Sequence, residues 1–141
     1  MKAFCYSNNL PHDNATTAGA QKQSGSFARR LWRTLCGNGG CSVYVVIFRA
    51  TVRNLDGEYS AAAKRMRELA LGQFGCLAFH SVTEGANEVS LSYWPSEENI
   101  RAWKEHPEHV LAQQAGRERW YKEYSVQVAE VSREYAYHVA T

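Results

Sequence analysis

The order in which the apolar pattern changes along residues 43–135 constrains the possible fold more than any other feature of the chain. Strands are predicted where β-branched and aromatic residues run together or alternate with polar ones, and helices where apolar residues recur every three to four positions. The predicted elements are strand 43–52, helix 58–72, strand 76–83, strand 89–94, a long helix that begins after Ser96, and strand 125–135.

This order, β-α-β-β-α-β, predicts the split βαβ or ferredoxin-like fold of the α+β class, with an antiparallel sheet and both helices on one face. The other face of the sheet would carry apolar side chains that need a cover. In a chain with one domain, a second copy of the chain is the simplest cover. We therefore expect a homodimer of the dimeric α/β-barrel type, in which the two sheets pack face to face.

Individual residues predict where the helices begin and end. Asp56 can cap the first helix, and Gly72 can end it. Ser96 is the expected cap of the second helix. Pro107 has no amide hydrogen, so it must kink or restart that helix, and His106 is then a possible cap for the restarted part.

The residues outside 42–135 are expected to be tails. Residues 1–26 are polar and lack a periodic pattern, which predicts disorder. Residues 27–36 could form a short basic amphipathic helix that contacts anionic lipid, or simply a frayed tail. Residues 36–41, CGNGGC, are typical of a flexible linker. Residues 136–141 are expected to be a C-terminal tail.

Charge and composition exclude several classes of protein. The formal net charge is +2, but residues 1–40 carry +4 and residues 41–141 carry −2, so clustered phosphate contacts and nucleic-acid binding are not expected. There is no apolar run long enough for a membrane span and no secretory signal pattern. The four cysteines form no C-x-x-C pair, and we expect reduced thiols in a cytoplasmic protein.

A histidine pair within AWKEHPEHVLAQQAGRERWY raises the question of a metal site. His106 and His109 lie beside Glu105 and Glu108, but Pro107 disrupts the helical spacing, and a third ligand at a defined spacing is missing. No metal is therefore expected. His106 is interpreted as a cap and His109 as a residue on the rim of a pocket.

Aromatic residues gather around the second helix and could line a cavity for a flat ligand, although any single one could instead belong to the core. The P-loop, G-x-G-x-x-G and Ser-His-Asp patterns do not occur. Gln113 and Arg117 could meet a polar group of a ligand. The aromatic residues are Tyr93, Trp94, Trp103, Trp120, Tyr121 and Tyr124.

Residues 89–135 resemble the antibiotic biosynthesis monooxygenase (ABM) family. The most specific stretch is Y-W-x-S-x-E-x-I-x-A-W-K-x-H-P-E-H, followed by G-R-E-x-W-Y. With the split βαβ order, the resemblance extends over about residues 43–135. It implies a ferredoxin-like dimer with a cavity between the sheet and the helices. Some members oxidise polycyclic aromatic substrates with molecular oxygen and use neither a metal nor an organic cofactor.

In that chemistry the deprotonated substrate supplies the electrons, and the protein excludes water and stabilises an anion. The resemblance thus implies a cavity near His80, Tyr93, Trp103 and His109, which we interpret as candidate catalytic residues. The candidate substrate-binding residues are Phe48, His106, Gln113, Arg117, Trp120 and Tyr121.

Two alternative functions stay open. A related branch degrades haem with an Asn, a Trp and a His. Trp103 matches its tryptophan, but Gln113 and Phe48 stand where that branch has the haem-ligating histidine and the asparagine. His106 or His109 would then have to bind the haem iron. The other alternative is a non-catalytic dimeric binding module, which predicts a filled core without a cavity.

Overall fold

The computed structural model of the protein describes residues 42–135, 137 and 139. The predictions of disorder over 1–26, a helix over 27–36 and a linker over 36–41 lie outside these residues, as does most of the predicted tail 136–141. The elements are β1 (Tyr44–Val52), α1 (Gly57–Gln73), β2 (Ala78–Glu84), β3 (Asn87–Trp94), α2 (Glu97–Glu105), α3 (Pro107–Ala115), a π-helical turn (Gly116–Trp120) and β4 (Tyr121–Glu130).

The four strands form one antiparallel sheet in the order β2-β3-β1-β4. This order, with the helices between β1 and β2 and between β3 and β4, is the ferredoxin-like arrangement, and it confirms the predicted fold. β1 lies in the middle of the sheet, which explains why its sequence is apolar almost throughout.

The core lies between one end of the sheet and the helices. It is built around Trp94 and Leu69, which are 0% and 1% exposed. Because this end of the sheet is filled with large side chains, it fixes the positions of α1 and α2. The other buried members are Val46, Ala70, Cys76, Ile100 and Trp103.

Capping follows the predictions at both expected helix starts. The Asp56 side chain accepts a hydrogen bond from the Tyr59 amide at 2.8 Å, and Ser96 Oγ accepts one from the Asn99 amide at 3.2 Å. The prediction that Gly72 ends α1 is wrong, because the helix continues through Gln73. Its end is set by Gly75, whose φ of 73° is readily adopted only by glycine.

Pro107 interrupts the second helix as predicted, since α2 ends at Glu105 and α3 begins at Pro107. His106 stands at the capping position, but its side chain makes no capping hydrogen bond. The last strand begins four residues earlier than predicted. The π-helical turn ends the helix at Trp120, and Tyr121 already pairs with Val52 of β1.

Candidate functional site

A partly enclosed cavity of about 650 Å³ lies between the sheet and the helices. This volume lies within the roughly 300–1,000 Å³ of typical ligand pockets. Its floor is the inner face of the sheet, its wall is α1, and its roof is formed by α2, α3 and the π-helical turn. The hypothesis of a non-catalytic binding module predicted a filled core without a cavity, and the presence of this cavity contradicts that expectation.

One end of the cavity is formed by Trp103 of α2 and His109 of α3, whose ring centroids are 4.0 Å apart. The break at Pro107 lets the first turn of α3 return beside the last turn of α2. His109 Nδ1 then lies 3.0 Å from the carbonyl oxygen of Trp103. Since a carbonyl only accepts hydrogen bonds, Nδ1 carries the proton, and Nε2 is the unprotonated nitrogen of the ring.

Burial lowers the pKa of His109, and the positive charge of Lys104 acts in the same direction. The imidazole is therefore neutral at pH 7. The indole N–H of Trp103 is also buried, and it has no hydrogen-bond partner within the described residues. This end of the cavity thus combines an unprotonated ring nitrogen with a free hydrogen-bond donor, which suits proton removal and stabilisation of an anion.

The other end of the cavity contains Glu88, Tyr59, Trp120 and Tyr121. Tyr59 packs edge-on against Trp120 and Tyr121, with ring centroids 5.5 and 6.3 Å apart. Glu88 is only 5% exposed, and its Oε2 atom has no hydrogen-bond partner in the described part of the chain. Burial and the negative charge of Glu88 raise the pKa of both tyrosines, so both phenols stay protonated at neutral pH.

The floor between the two ends is a polar stripe on β3 that consists of Glu88, Ser90 and Ser92. The two serines are buried, with 9% and 3% exposure. Ser90 Oγ lies 2.8 Å from Ser81 Oγ, and Ser92 Oγ accepts a hydrogen bond from the Trp94 indole at 2.8 Å. The serines are therefore satisfied by protein partners, whereas the Oε2 atom of Glu88 is not, although the Tyr59 and Tyr121 hydroxyls lie beside its carboxylate.

The structure brings seven of the ten predicted site residues to this cavity. Gln113 donates a hydrogen bond to the Lys104 carbonyl at 3.1 Å, and Arg117 donates one to the Tyr124 hydroxyl at 3.2 Å. Gln113 thus joins α3 to α2 within the roof, and Arg117 joins the roof to β4 of the sheet. The seven residues are Phe48, Trp103, His109, Gln113, Arg117, Trp120 and Tyr121.

Three predicted site residues do not line the cavity. His80 and Tyr93 contact each other on the opposite face of the sheet, with ring centroids 6.4 Å apart. Their neighbours Phe79 and Ser92 face the cavity, and successive residues of a strand point to opposite faces. The prediction that His80 and Tyr93 share a cavity with Trp103 and His109 is therefore wrong.

His106 is the third of these residues. Its ring packs edge-on against Phe74, with the centroids 5.4 Å apart, and it lies outside the cavity. The placement of His106 in a substrate pocket is therefore also wrong. The break at Pro107 turns His106 and His109 in different directions although they are only three residues apart.

Two residues of the cavity, Tyr59 and Glu88, were not predicted to belong to it. Glu88 lies outside the predicted strand 89–94, yet it occupies the first inward-facing position of β3. The alternation of Glu88, Ser90 and Ser92 with Val89 and Leu91 was the signal that could have found it. Tyr59 lies in the predicted helix 58–72, and nothing in the sequence distinguishes it from a core residue.

An ion pair between Arg65 of α1 and Glu108 of α3 joins the wall of the cavity to its roof, with N–O distances of 2.7 and 2.8 Å.

In the described ranges, His, Cys, Asp and Glu side chains do not form a group of three or more that could hold a metal ion. The helices of residues 42–135 are each too short or too polar to cross a membrane.

Comparison with known proteins gives one clear sequence relative. The chain is 40% identical over 92 residues to the uncharacterised protein YqjZ of Bacillus subtilis, a match that covers 64% of this chain and 81% of YqjZ. No protein-family model matches the chain.

Solved structures with the same fold include two oxygenase-related proteins. SnoaB, a cofactor-independent oxygenase from Streptomyces nogalater, has a TM-score of 0.57 at 15% identity, covering 65% of this chain and 95% of SnoaB. A candidate antibiotic biosynthesis monooxygenase from Nitrosomonas europaea has a TM-score of 0.57 at 14% identity, covering 66% and 93%. Rv0793 from Mycobacterium tuberculosis has a TM-score of 0.59 at 17% identity, covering 67% and 100%.

Proposed function

The chain belongs with YqjZ to one family whose fold is that of the antibiotic biosynthesis monooxygenases, and on this premise we propose that it is a small cofactor-independent monooxygenase. Its substrate is an aromatic or polycyclic molecule that reacts with molecular oxygen. The observation that carries the proposal is the pairing of neutral His109 with the unpartnered N–H of Trp103 at one end of an aromatic-walled cavity.

The reaction starts with a proton transfer to His109 Nε2 from a substrate hydroxyl or from a methylene group activated by a neighbouring carbonyl. The substrate anion then gives its electrons to oxygen. One oxygen atom becomes a new carbonyl oxygen and the other leaves as water, so R₂CH₂ and O₂ give R₂C=O and H₂O. The substrate supplies all the electrons, and no external reductant is consumed.

The chain contributes position and electrostatics to this reaction. The Trp103 indole donates a hydrogen bond to the developing oxyanion, which is strongest in a cavity from which water is excluded. Phe48, Trp120 and Tyr121 supply flat apolar walls for the substrate. Arg117 joins the roof to β4 through Tyr124 and places a positive charge on the cavity lining.

Oxygen uptake tests the proposal. The full-length protein is incubated with a panel of hydroxyanthrones and hydroquinones in an oxygen electrode. We expect His109→Gln to lower kcat by roughly 100-fold or more, as is typical when a general base is lost. Trp103→Phe, which removes only the N–H donor, should also lower kcat by roughly 100-fold.

The matched control is Glu123→Gln, because Glu123 lies on β4 outside the cavity and contacts Thr51. It should leave kcat unchanged. Absence of oxygen uptake with every substrate, or an unchanged rate in His109→Gln, would contradict the monooxygenase proposal.

Haem binding is the second candidate function, and one observation favours it. A haem-ligating histidine also has one nitrogen fixed by a hydrogen bond and the other free, which is the state of His109. Basic residues on the cavity lining would suit the haem propionates. Gln113 is a poor axial ligand, so His109 would hold the iron and the haem would supply the oxygen chemistry. The basic residues are Lys64, Arg67, Lys104 and Arg117.

A haemin titration followed by absorbance separates the two functions. A saturable one-to-one spectrum that is lost in His109→Gln and bleaches with ascorbate would favour haem degradation. Absence of saturable binding would remove that candidate.

Location in the cytoplasm stays a prediction, as does the assignment of residues 42–135 as the functional domain.

We also propose that the protein acts as a homodimer through the outer face of the sheet. On this face Val45 lies opposite Tyr93, and Ile47 lies opposite Leu91. Val82 and Val89 extend the patch and are 65% and 39% exposed. An apolar patch of this kind on the middle strands of a sheet is typical of an interface.

A further inference from the structure

The central strand β3 has its polar side turned toward the helices and its apolar side turned outward. Glu88, Ser90 and Ser92 face the cavity, whereas Val89 and Leu91 face away from it. Antiparallel sheets normally bury the apolar face, because burial of a polar group costs free energy unless it is hydrogen-bonded. The three polar side chains therefore need hydrogen-bond partners in or around the cavity.

The hydrogen bonds of these three side chains show which of them lacks a partner. Ser90 is bonded to Ser81, and Ser92 to Trp94. Glu88 is buried to the same extent, and the hydroxyl groups of Tyr59 and Tyr121 lie beside its carboxylate. Its Oε2 atom nevertheless has no hydrogen-bond partner, and the ion pairs among the described residues use other glutamates. A buried carboxylate without a cation or a full set of donors is costly, so a ligand group that donates to it would be bound strongly.

The neighbours of Glu88 define the chemistry of that ligand group. The buried Trp120 indole N–H also has no partner, and it belongs to the same group of side chains around Tyr59. A hydroxyl group both donates and accepts hydrogen bonds, so hydroxyl chemistry on the ligand suits both the carboxylate and the indole. An ammonium group only donates and would leave the indole N–H unsatisfied.

The position of Glu88 defines the shape of the ligand. Ser92, next to Phe79 and the Trp103 end of the cavity, lies four residues along β3 from Glu88. At about 3.3 Å per residue, their Cα atoms are roughly 13 Å apart. A ligand that reaches both ends must therefore be elongated, and the walls of Phe48, Trp120 and Tyr121 require it to be flat.

We propose that Glu88 determines the specificity of the cavity by accepting a hydrogen bond from a second phenolic hydroxyl, at the end of the aromatic ligand remote from His109. The substrate class is thus a polycyclic aromatic compound with hydroxyl groups at both ends. This inference rests on the proposed function, since it takes the His109 end as the reacting end. Glu88 is a binding residue in this scheme and takes no part in the reaction with oxygen.

The test uses two already oxidised probes, so that binding is measured without turnover. These are 2,6-dihydroxyanthraquinone and 2-hydroxyanthraquinone, which differ by the one hydroxyl group. Calorimetric titration of the full-length protein should give a dissociation constant roughly tenfold or more lower for the dihydroxy probe, as expected for a hydrogen bond to a charged group. In Glu88→Ala the two constants should become equal.

Two further variants control this result. Glu88→Gln keeps the size of the side chain, removes its charge, and should lose most of the preference even if Glu88→Ala folds poorly. Glu123→Gln on β4 should keep the full preference. Equal binding of the two probes to the unaltered protein, no binding of either, or an unchanged preference in both Glu88 variants would overturn the proposal.

The two proposals fail in different experiments. Failure of the proposed monooxygenase would appear as absent oxygen uptake, whereas failure of the Glu88 inference would appear as an absent preference between the probes. A protein that prefers the dihydroxy probe but consumes no oxygen would support the ligand class and contradict only the reaction.

Discussion

Protonation of His109, a residue of the cavity, affects how the stability of the fold depends on pH. Its pKa in the folded protein is lowered from the ordinary value of 6.5, mainly by burial. Above pH 6.5 the side chain is neutral in both the folded and the unfolded chain, so it contributes no pH dependence. As the pH falls below that value, the unfolded chain binds a proton that the folded protein resists, and stability decreases until the folded pKa is passed.

We therefore predict that the protein loses more stability than His109→Gln when the pH is lowered from 7.5 to 5. Urea unfolding at a series of pH values measures the difference. Arg101→Gln is the control because Arg101 is exposed on α2, away from the cavity and from the outer face of the sheet, and it should follow the unaltered protein. Parallel curves for the unaltered protein and His109→Gln would show that burial of His109 has no such effect.

The side chain of Asp56 stabilises the first turn of α1. This side chain accepts the Tyr59 amide hydrogen, one of the donors that a helix start leaves unpaired. Asp56→Ala should lower the free energy of unfolding by about 1 kcal/mol, whereas Asp56→Ser should retain most of the stability. Thermal unfolding of both variants measures this difference. Equal melting temperatures for the two variants would mean that the cap contributes little.

The same elements show what a sequence can predict. The order of strands and helices, the Asp56 and Ser96 caps and the break at Pro107 each depend on local chemistry, and each was predicted. The π-helical turn at Gly116–Trp120 was not, because it depends on tertiary packing. Gly116 fits closely there, since a Cβ atom would lie 3.1 Å from the Tyr121 ring, which would have to shift by a few tenths of an ångström.

The candidate site was predictable only in part, for a related reason. Alternation divides β3 into two sets of residues but does not state which set faces the helices. His80 and Tyr93 were predicted to line the cavity, and Glu88 was left outside the predicted strand 89–94. The inverted strand could be recognised only once the sheet was packed against the helices.

The proposed dimer is a property of the whole molecule. If the outer face of the sheet forms the dimer, a charge at its centre should separate the subunits because an unpaired buried charge is costly. We predict that Leu91→Lys is a monomer by light scattering after gel filtration. Leu111→Lys, on the exposed side of α3, is the control and should stay dimeric. A dimer that persists in Leu91→Lys would place the interface elsewhere.

The separation of core and cavity has a consequence for how such a protein can diverge. The large buried side chains that hold the fold, Trp94 and Leu69 among them, gather at one end of the sheet. Glu88 and Ser90, which face the ligand space, lie toward the other end and are not members of that core. Substitutions at these two positions can therefore change the ligand that the cavity accepts without altering the packing that holds α1 and α2 on the sheet. A lineage can in this way exchange one ligand for another while its backbone stays the same.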